Sequence, residues 1–414
     1  MGGDQLRKYL FKGDKTIWAV FFIICSISLI EVFSATSRQI NAAGSYWFPI
    51  IKHAVFLILG ILVVIIMHYM KVAWVKKLTY IIYWLGLIGL IWAQISGARI
   101  NDSARWVKIM GLTFQPMEFA KMGLVMVTAL ISAQHQDEEG TSRLALKKIA
   151  LYSIPPILII LKENLSTAVI ILLALYGMMI VARYPKGQMW RIFGAALAVG
   201  ALGITLIMSS PEKWAEEDGF KQKVITWKHR FVDAVKGQPL TPEDYVIKNP
   251  QRTFSNIAIA SSHILGCGPG NSTLRDFIPH AQSDFIYAII IEELGLAGGI
   301  FVLLLYMTIL FRCGKIAKKC EDPYPAFLVM GIGMIITLQA LTHMYISVGD
   351  FVTGQPLPLI SQGGTSVIIN CVYIGMILSV SRYAMKASAN PKRSLEEIDN
   401  ENINDNNQQY EERV

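Results

Sequence analysis

The feature that most constrains the fold of this chain is a series of long apolar stretches along almost its whole length. A helix needs about 20 predominantly apolar residues to cross a bilayer. Ten stretches approach that length, and they cover residues 16–36, 50–70, 77–96, 114–134, 146–162, 165–183, 189–209, 284–311, 324–347 and 359–382. They lack the period-two alternation of barrel strands. The sequence therefore predicts an all-α polytopic membrane protein with about ten transmembrane helices.

Composition supports this class and excludes others. Of the 414 residues, 53% are hydrophobic and only 16% are charged, whereas soluble domains are about 25% charged. The net charge of +8 comes from basic residues scattered between the apolar stretches, which sets membrane topology and does not indicate nucleic-acid binding. The five cysteines show neither metal-ligand spacing nor a disulfide framework. The fifth stretch is the weakest, because Pro155 and Pro156 interrupt it.

The distribution of Lys and Arg predicts the topology. Several basic residues occur in the N-terminal segment, in every second loop, and after the last span, which places both termini in the cytoplasm. Residues 1–15 are then a cytoplasmic segment, 16–385 the membrane domain and 386–414 a disordered cytoplasmic tail. A large external loop, about 210–283, joins spans 7 and 8. Its 213–237 stretch predicts one or two amphipathic helices at the membrane surface, although its nearly balanced charges also suit a plain solvated cap.

The loop between spans 3 and 4 breaks the charge rule. It is expected outside, yet it carries Arg99, Arg105 and Lys108 against one acid, Asp102. One interpretation is a tolerated exception in a short loop. The other is an anion site that faces outward, since the guanidinium group suits phosphate oxygens.

Polar residues also stand at the entrances to two spans. Gln115, Glu118 and Lys121 open span 4; Glu118 and Lys121 are three residues apart, so that they share a helix face and can pair. Such a pair is either a structural neutralisation or part of a polar cavity. Prolines and glycines in the 354–366 stretch interrupt the entry to span 10. Non-helical backbone at membrane depth is tolerated only inside protein or beside a wet cavity.

Three acids mark the start of span 8. Asp284 precedes the apolar run, where it could be a helix N-cap or a general base; position alone favours the cap. Glu292 and Glu293 lie deeper and point about 100° apart on a helix, so at most one is expected to face any one cavity. These observations predict an outward-facing polar chamber, which suits either an anionic amphiphile handled at the membrane surface or a transporter.

Three segments then resemble the signature regions of the SEDS family (shape, elongation, division and sporulation). They are "SARWVKIMGLTFQPMEFAKMGLV" (103–125), "IPHAQSDFIYAIIIEELGLAGG" (278–299) and "TGQPLPLISQGGTS" (353–366). The resemblance covers nearly the whole chain and is closer to the division-associated branch than to the elongation-associated branch. It departs from the family pattern at Gln282 and Ser283, at Gln362, and at Asn164 and Ser166.

The resemblance implies a peptidoglycan glycosyltransferase that polymerises lipid II, a disaccharide-pentapeptide on undecaprenyl pyrophosphate. A sugar hydroxyl of one lipid II attacks the anomeric carbon of the donor, and undecaprenyl pyrophosphate leaves. The family's essential acid falls on Asp284, the expected base. Expected substrate-binding residues are Arg99, Arg105, Lys108, Gln115, Glu118, Lys121, Ser361, Gly363 and Gly364, with Glu292 and Glu293 supporting. A divalent cation, Mg or Mn, could help bind pyrophosphate, but the sequence shows no dedicated metal site.

The resemblance also implies partners and a location. The expected partners are a class B penicillin-binding protein and other divisome proteins in septal wall synthesis. The expected location is the bacterial cytoplasmic membrane, with the active site facing outward. The alternatives are a lipid II flippase, an elongation-type polymerase and a scaffold without catalysis. A flippase needs polar groups through the full membrane depth, whereas the charges here cluster near the predicted outer face, which favours surface chemistry.

Overall fold

The computed structural model describes residues 12–35, 48–96, 107–109, 112–138, 140–216, 220–236, 250–278, 281–349 and 354–389. Within these ranges the helices are α1 (Lys15–Ala35), α2 (Phe48–Tyr69), α3 (Val72–Ser96), α4 (Pro116–Gln134), α5 (Arg143–Glu163), α6 (Leu165–Val181), α7 (Lys186–Met208), α8 (Phe220–Lys236), α9 (Pro250–Ser261), α10 (Ile286–Ala317), α11 (Pro323–Val348) and α12 (Gly364–Ala389). A 3₁₀ helix covers Glu212–Glu216.

Two short antiparallel hairpins complete the described structure. In the first, β1 (Val107–Ile109) pairs with β2 (Leu112–Phe114), with Lys108 opposite Thr113. In the second, β3 (Gln136–Asp137) pairs with β4 (Gly140–Thr141). Both connect helix ends, so they leave the all-α class unchanged.

Every predicted span has a helix in the structure. Among the described residues, nine helices are long and apolar enough to cross a membrane, and the shorter apolar helix Leu165–Val181 is the tenth. The prediction of an all-α polytopic membrane protein with about ten spans is confirmed. The external loop contains α8 within the stretch predicted to be amphipathic, and α9 just after it.

Contacts between helix ends show which of these ends lie next to each other. Asp14, before α1, accepts a hydrogen bond from Nε of Arg312, near the end of α10, at 2.8 Å. Arg382 of α12 donates to the carbonyl oxygen of Tyr69, at the end of α2, at 3.1 Å. These termini and loops are the ones rich in Lys and Arg, and we call their side the basic face.

The opposite side, which we call the site face, is joined in the same way. The hydroxyl of Ser255 in α9 donates to the carbonyl oxygen of Ser347 in α11 at 2.7 Å. Nε2 of Gln94, near the end of α3, donates to Glu163, at the end of α5, at 3.1 Å. The predicted external loops therefore meet at one face of the bundle.

The proline pair does not interrupt α5. Proline lacks the N–H that would bond the carbonyl four residues earlier, and for Pro156 that carbonyl belongs to Tyr152. The hydroxyl of Tyr83 in α3 donates to this oxygen at 2.8 Å. A neighbouring helix thus satisfies the freed carbonyl, as membrane helices with internal proline require.

The predicted eighth span is a broken helix and not a single one. Gly295 has φ 74° and ψ −179°, so 286–294 and 296–317 are separate helical segments. The freed N–H groups of Leu296 and Ala297 donate to the carbonyls of His263 and Ile264, both at 3.2 Å. A Cβ atom at Gly295 would lie 2.1 Å from the Ile264 oxygen, so the external loop crosses the helix where only glycine fits.

The last helix differs from its predicted bounds at both ends. It begins at Gly364 and not at 359, because 354–362 is not helical. It ends at Ala389, so the first four residues of the predicted disordered tail are helical. The rest of that tail lies outside the described residues.

Helices α3 and α4 approach each other closely through small residues. A Cβ atom at Gly86 would lie 2.7 Å from Cα of Ala120, and one at Gly123 would lie 2.6 Å from Cα of Tyr83. Because both neighbours are backbone atoms, neither position has room for a side chain. Small residues that bring backbones together drive helix association in membranes.

This packing predicts opposite results for two identical substitutions. Gly123→Ala should lower the free energy of unfolding by about 1–3 kcal/mol, because the added methyl must separate α3 from α4. Gly200→Ala on α7 should be neutral or slightly stabilising, because nothing lies within 4 Å of its Cβ position and alanine favours helix. Unfolding of both proteins in the same detergent checks this, and equal loss in both would contradict it.

Candidate active site

The segment 354–362 is non-helical and mostly buried between α11 and α12. Its carbonyl groups bind side chains from neighbouring helices. The carbonyl of Gln355 accepts from Nδ1 of His343 at 2.6 Å, and the carbonyl of Pro356 accepts from Nε2 of Gln339 at 3.0 Å. The Gln355 side chain donates to Thr167 of α6. The first residues of the segment are therefore tied to α11 and α6.

The middle of the segment is tied to other helices. The carbonyl of Pro358 accepts from the Tyr306 hydroxyl of α10, and the carbonyl of Ile360 accepts from the Ser28 hydroxyl of α1 at 2.9 Å. The carbonyl of Leu357 is satisfied within the segment. An unbonded buried carbonyl is costly, so these contacts explain how a broken segment persists inside an apolar bundle.

The end of the segment binds the backbone just before Asp284. The Ser361 hydroxyl accepts from the Leu357 N–H and donates to the carbonyl of Ser283, both at 2.7 Å. The N–H of Gln362 donates to the carbonyl of Gln282 at 2.9 Å. Two of the predicted signature regions therefore meet directly, and Ser361 is a backbone contact at that meeting point.

Asp284 lies in a turn on the site face and is partly exposed. Helix α10 begins at Ile286, and Phe285 occupies its N-cap position. The favoured interpretation of Asp284 as the cap is therefore wrong by one residue. Its partial exposure places Asp284 within reach of solvent on this face.

Glu118 and Lys121 form the predicted ion pair, with Nζ and Oε1 2.8 Å apart. The two residues are only 2% and 1% exposed. Nζ of Lys121 also donates to Oε1 of Gln339 at 2.7 Å. The structure thus places the pair beneath the surface, bonded through Gln339 to the 354–362 segment, and not on a wall open to a ligand.

Glu292 binds the external loop through several donors. Its oxygens accept from the Ser272 hydroxyl at 2.5 Å, the Thr273 N–H at 2.9 Å and the Leu274 N–H at 3.3 Å. Residues 270–274 overlap the end of the glycine-rich stretch "GCGPGNS" (266–272). The N–H groups at the end of this stretch therefore bind a carboxylate of the same chain.

Glu293 binds the same loop from a second direction. It accepts from the Gly270 N–H at 2.9 Å and the Ser272 N–H at 3.2 Å, and from the Ser34 hydroxyl of α1. Both side chains bind one loop, which is not a cavity, so the expectation that at most one of them faces any one cavity stays a prediction. The loop folds over the end of the 286–294 helical segment, so both side chains reach it.

Arg275, which follows this loop in the sequence, adds a cation to the cluster. Its NH1 group donates to the Ser34 hydroxyl at 2.8 Å and the Gly270 carbonyl at 2.9 Å, and lies 3.8 Å from Oε1 of Glu293. The chain from 275 to Asp284 is thus anchored at its start by the two glutamates. It is anchored at its end by Ser361 and the Gln362 backbone.

The other predicted site residues are not all brought together. Gln115 is buried at the N-cap of α4 without a side-chain cap bond. Gly363 directly precedes α12 and Gly364 is its first residue, and both are partly exposed. Arg99, Arg105 and the side chain of Lys108 lie outside the described residues, as does Asp102. Asn164, one of the positions that depart from the family pattern, caps α6 by accepting from the Thr167 N–H at 3.3 Å.

Sequence reasoning missed five residues that hold the site together: Ser28, Arg275, Tyr306, Gln339 and His343. Gln339 and His343 are polar residues within an apolar span, which is a signal that could have singled them out. No local pattern, however, indicates that their partners lie in 354–362. Among the described residues, no group of three or more His, Cys, Asp or Glu could hold a metal ion.

Comparison with known proteins agrees with this architecture. A family model described as "Cell cycle protein", covering FtsW, RodA and SpoVE, matches residues 14–386. The chain belongs to this family. The match confirms the resemblance seen in the three signature regions, and the FtsW/RodA/SpoVE family is the one in which the site must be interpreted.

Relatives within the family match over most of their length. "Probable peptidoglycan glycosyltransferase FtsW" of Halomonas elongata is 28% identical over 367 residues, 86% of this chain and 87% of the relative. The protein of that name from Hydrogenovibrio crunogenus is 30% identical over 302 residues, 71% of this chain and 72% of the relative. Both carry the division-associated name.

Solved structures show the same fold. A chain of the complex described as "Structural coordination of polymerization and crosslinking by a peptidoglycan synthase complex" aligns with TM-score 0.68 at 20% identity, covering 90% of this chain and 99% of the other. RodA of Thermus thermophilus aligns with TM-score 0.61 at 20% identity, covering 90% and 97%.

The buried ion pair gives a stability prediction. Lys121→Met should lower the free energy of unfolding by about 3–5 kcal/mol, because it leaves the Glu118 charge buried without its partner. Combining it with Glu118→Gln should recover most of the loss, since no buried charge then remains. Thermal unfolding of the two variants checks this. If the double variant is no more stable than the single one, the pair does not act as a unit.

The glutamate-bound loop gives a reactivity prediction. Burial, and to a smaller extent Glu292 and Glu293, raise the pKa of the Cys267 thiol above its ordinary value. Glu293→Gln should therefore lower that pKa, increase the thiolate fraction at pH 8 and release the loop. Alkylation of Cys267, followed by peptide mass spectrometry, should be several-fold faster than in the wild type. An unchanged rate would mean that Glu293 does not hold this loop.

Proposed function

We propose that this chain is a peptidoglycan glycosyltransferase that polymerises lipid II at the outer face of the bacterial cytoplasmic membrane, in septal wall synthesis. Family membership over residues 14–386 supports the activity, and the names of the FtsW relatives support the septal role. The observation that carries the proposal is Asp284, a partly exposed carboxylate on the site face. The backbone just before it is bonded to the 354–362 segment, and the loop further upstream is bonded to Glu292 and Glu293.

In this reaction Asp284 is the general base. A hydroxyl of the acceptor sugar loses its proton to the carboxylate as its oxygen attacks the anomeric carbon of the donor. The bond to the pyrophosphate oxygen breaks, undecaprenyl pyrophosphate leaves, and a single displacement inverts the anomeric centre. The hydrogen bonds to the Gln282 and Ser283 carbonyls hold the backbone that carries this carboxylate, and such positioning lowers a barrier.

The leaving group needs positive charge, and Arg99, Arg105 and Lys108 are the proposed source. In the sequence they lie between α3 and α4, and guanidinium groups bind phosphate oxygens in a bidentate manner. A divalent cation, Mg or Mn, enters the proposal only as a companion of the pyrophosphate. Asp284, Glu292 and Glu293 do not form its cage, because the two glutamates are already bonded to residues 270–274.

The proposal includes a partner and an orientation. A class B penicillin-binding protein would cross-link the glycan strand, by analogy with the peptidoglycan synthase complex whose chain shares this fold. Other divisome proteins would bring the pair to the septum. The basic face would be cytoplasmic, since Lys and Arg are retained on that side, so that Asp284 faces outward with the lipid II head groups.

The test is polymerisation of lipid II by the purified protein with its penicillin-binding partner, whose transpeptidase is blocked by a β-lactam. Asp284→Asn keeps the size of the side chain but removes its basicity. The variant should lose at least about 100-fold in rate, the ordinary worth of a general base, and should unfold at the wild-type temperature. Equal glycan chains from both proteins would remove Asp284 from catalysis. No chains from either would favour a lipid II flippase or a scaffold.

A further inference from the structure

Gln339 connects the buried Glu118–Lys121 pair to the 354–362 segment. Its Oε1 accepts from Nζ of Lys121 at 2.7 Å, and its Nε2 donates to the carbonyl of Pro356 at 3.0 Å. A lysine ammonium only donates and a carbonyl only accepts, so the amide can satisfy both in this one orientation. Both the oxygen and the nitrogen of the Gln339 amide therefore have a hydrogen-bond partner, and the residue is only 2% exposed.

The Pro356 carbonyl that Gln339 binds is close in sequence to a residue that is hydrogen-bonded to the backbone before Asp284. The next residue, Leu357, donates its N–H to the Ser361 hydroxyl, and that hydroxyl donates to the Ser283 carbonyl, both at 2.7 Å. Ser283 immediately precedes Asp284. A short series of hydrogen bonds thus runs from the ion pair of α4, through α11 and the 354–362 segment, to the backbone that carries the carboxylate.

The geometry points to Gln339 as a positioning residue, which uses the buried Glu118–Lys121 pair as a fixed anchor and sets the place of Asp284 through the 354–362 segment. This inference rests on the proposed function. It gives the ion pair a mechanical role instead of the substrate-binding role expected from the sequence. Neither Lys121 nor Gln339 reaches the surface, so neither can contact a lipid substrate in this conformation.

A residue that acts by positioning should affect turnover more than substrate affinity. Misplacing a reacting group by about 1 Å can cost about 100-fold in rate. Gln339→Met keeps the length of the side chain and loses both hydrogen bonds. We expect this variant to lower kcat for lipid II polymerisation at least about 10-fold, with KM within about 2-fold of wild type.

Gln339→Glu separates the two ends of the amide. It keeps an oxygen acceptor for Lys121 but has no donor for the Pro356 carbonyl, so it should lose activity as Gln339→Met does. If Gln339→Glu polymerises at the wild-type rate, the contact with the 354–362 segment is dispensable and the inference is overturned. A rise in KM with unchanged kcat in either variant would overturn it as well, because that pattern indicates substrate binding.

The matched control is Ser379→Ala on α12. Ser379 is buried and donates to the Met70 carbonyl of the α2–α3 connection at 2.6 Å, so it also makes a buried side-chain bond to a backbone carbonyl between elements. It lies toward the basic face, away from Asp284. It should leave kcat unchanged, and a loss equal to that of Gln339→Met would show that any such deletion damages turnover.

A double-mutant cycle tests the route itself. Ser361→Ala removes the bond to the Ser283 carbonyl, so the combined Gln339→Met and Ser361→Ala variant should lose no more activity than the worse of the two single variants. Independent routes would multiply the two losses, which would contradict the inference.

If wild type with its partner makes no glycan while the Halomonas relative does, the proposed function fails and this inference fails with it. If wild type is active and Gln339→Met equals it, only the inference fails.

Discussion

A backbone carbonyl or N–H left without a partner inside a membrane protein costs several kcal/mol, and this constraint organises the site. Residues 354–362 leave the helical ladder while they remain buried, so their polar groups must find other partners. They find them on four different helices: Ser28 on α1, Thr167 on α6, Tyr306 on α10, and Gln339 with His343 on α11. The need to satisfy one broken segment therefore fixes the relative positions of helices that are far apart in sequence.

The same constraint explains the three acids at the start of the broken eighth span. The helix breaks at Gly295, and the external loop supplies carbonyls to the N–H groups that the break releases. Glu292 and Glu293 in turn bind the N–H and hydroxyl groups of 270–274. They hold the start of the segment that leads to Asp284, and Ser361 holds its end. Glu292 and Glu293 thus have a structural role, and Asp284 is the acid that we propose for the chemistry.

Much of this could be predicted from the sequence. Apolar length gives the ten spans, loop charges give the common side of the termini, and helical spacing gives the Glu118–Lys121 pair. The partners of these residues could not be predicted, because Lys121 meets Gln339 and Ser34 meets Glu293 more than 200 positions away. Pro155 and Pro156 were misleading for the same reason: the hydroxyl that satisfies Tyr152 belongs to Tyr83 on another helix.

If the 354–362 segment sets the place of Asp284, it must stay attached to the backbone before Asp284 during turnover. A disulfide between Gln282→Cys and Gln362→Cys tests it, since the 2.9 Å backbone hydrogen bond brings these two residues side by side. Made with Cys267→Ser and assayed with and without reductant, the cross-linked protein should polymerise lipid II at the rate of the reduced protein. A cross-linked protein that is inactive and recovers on reduction would show that the two segments must separate, and would contradict the account.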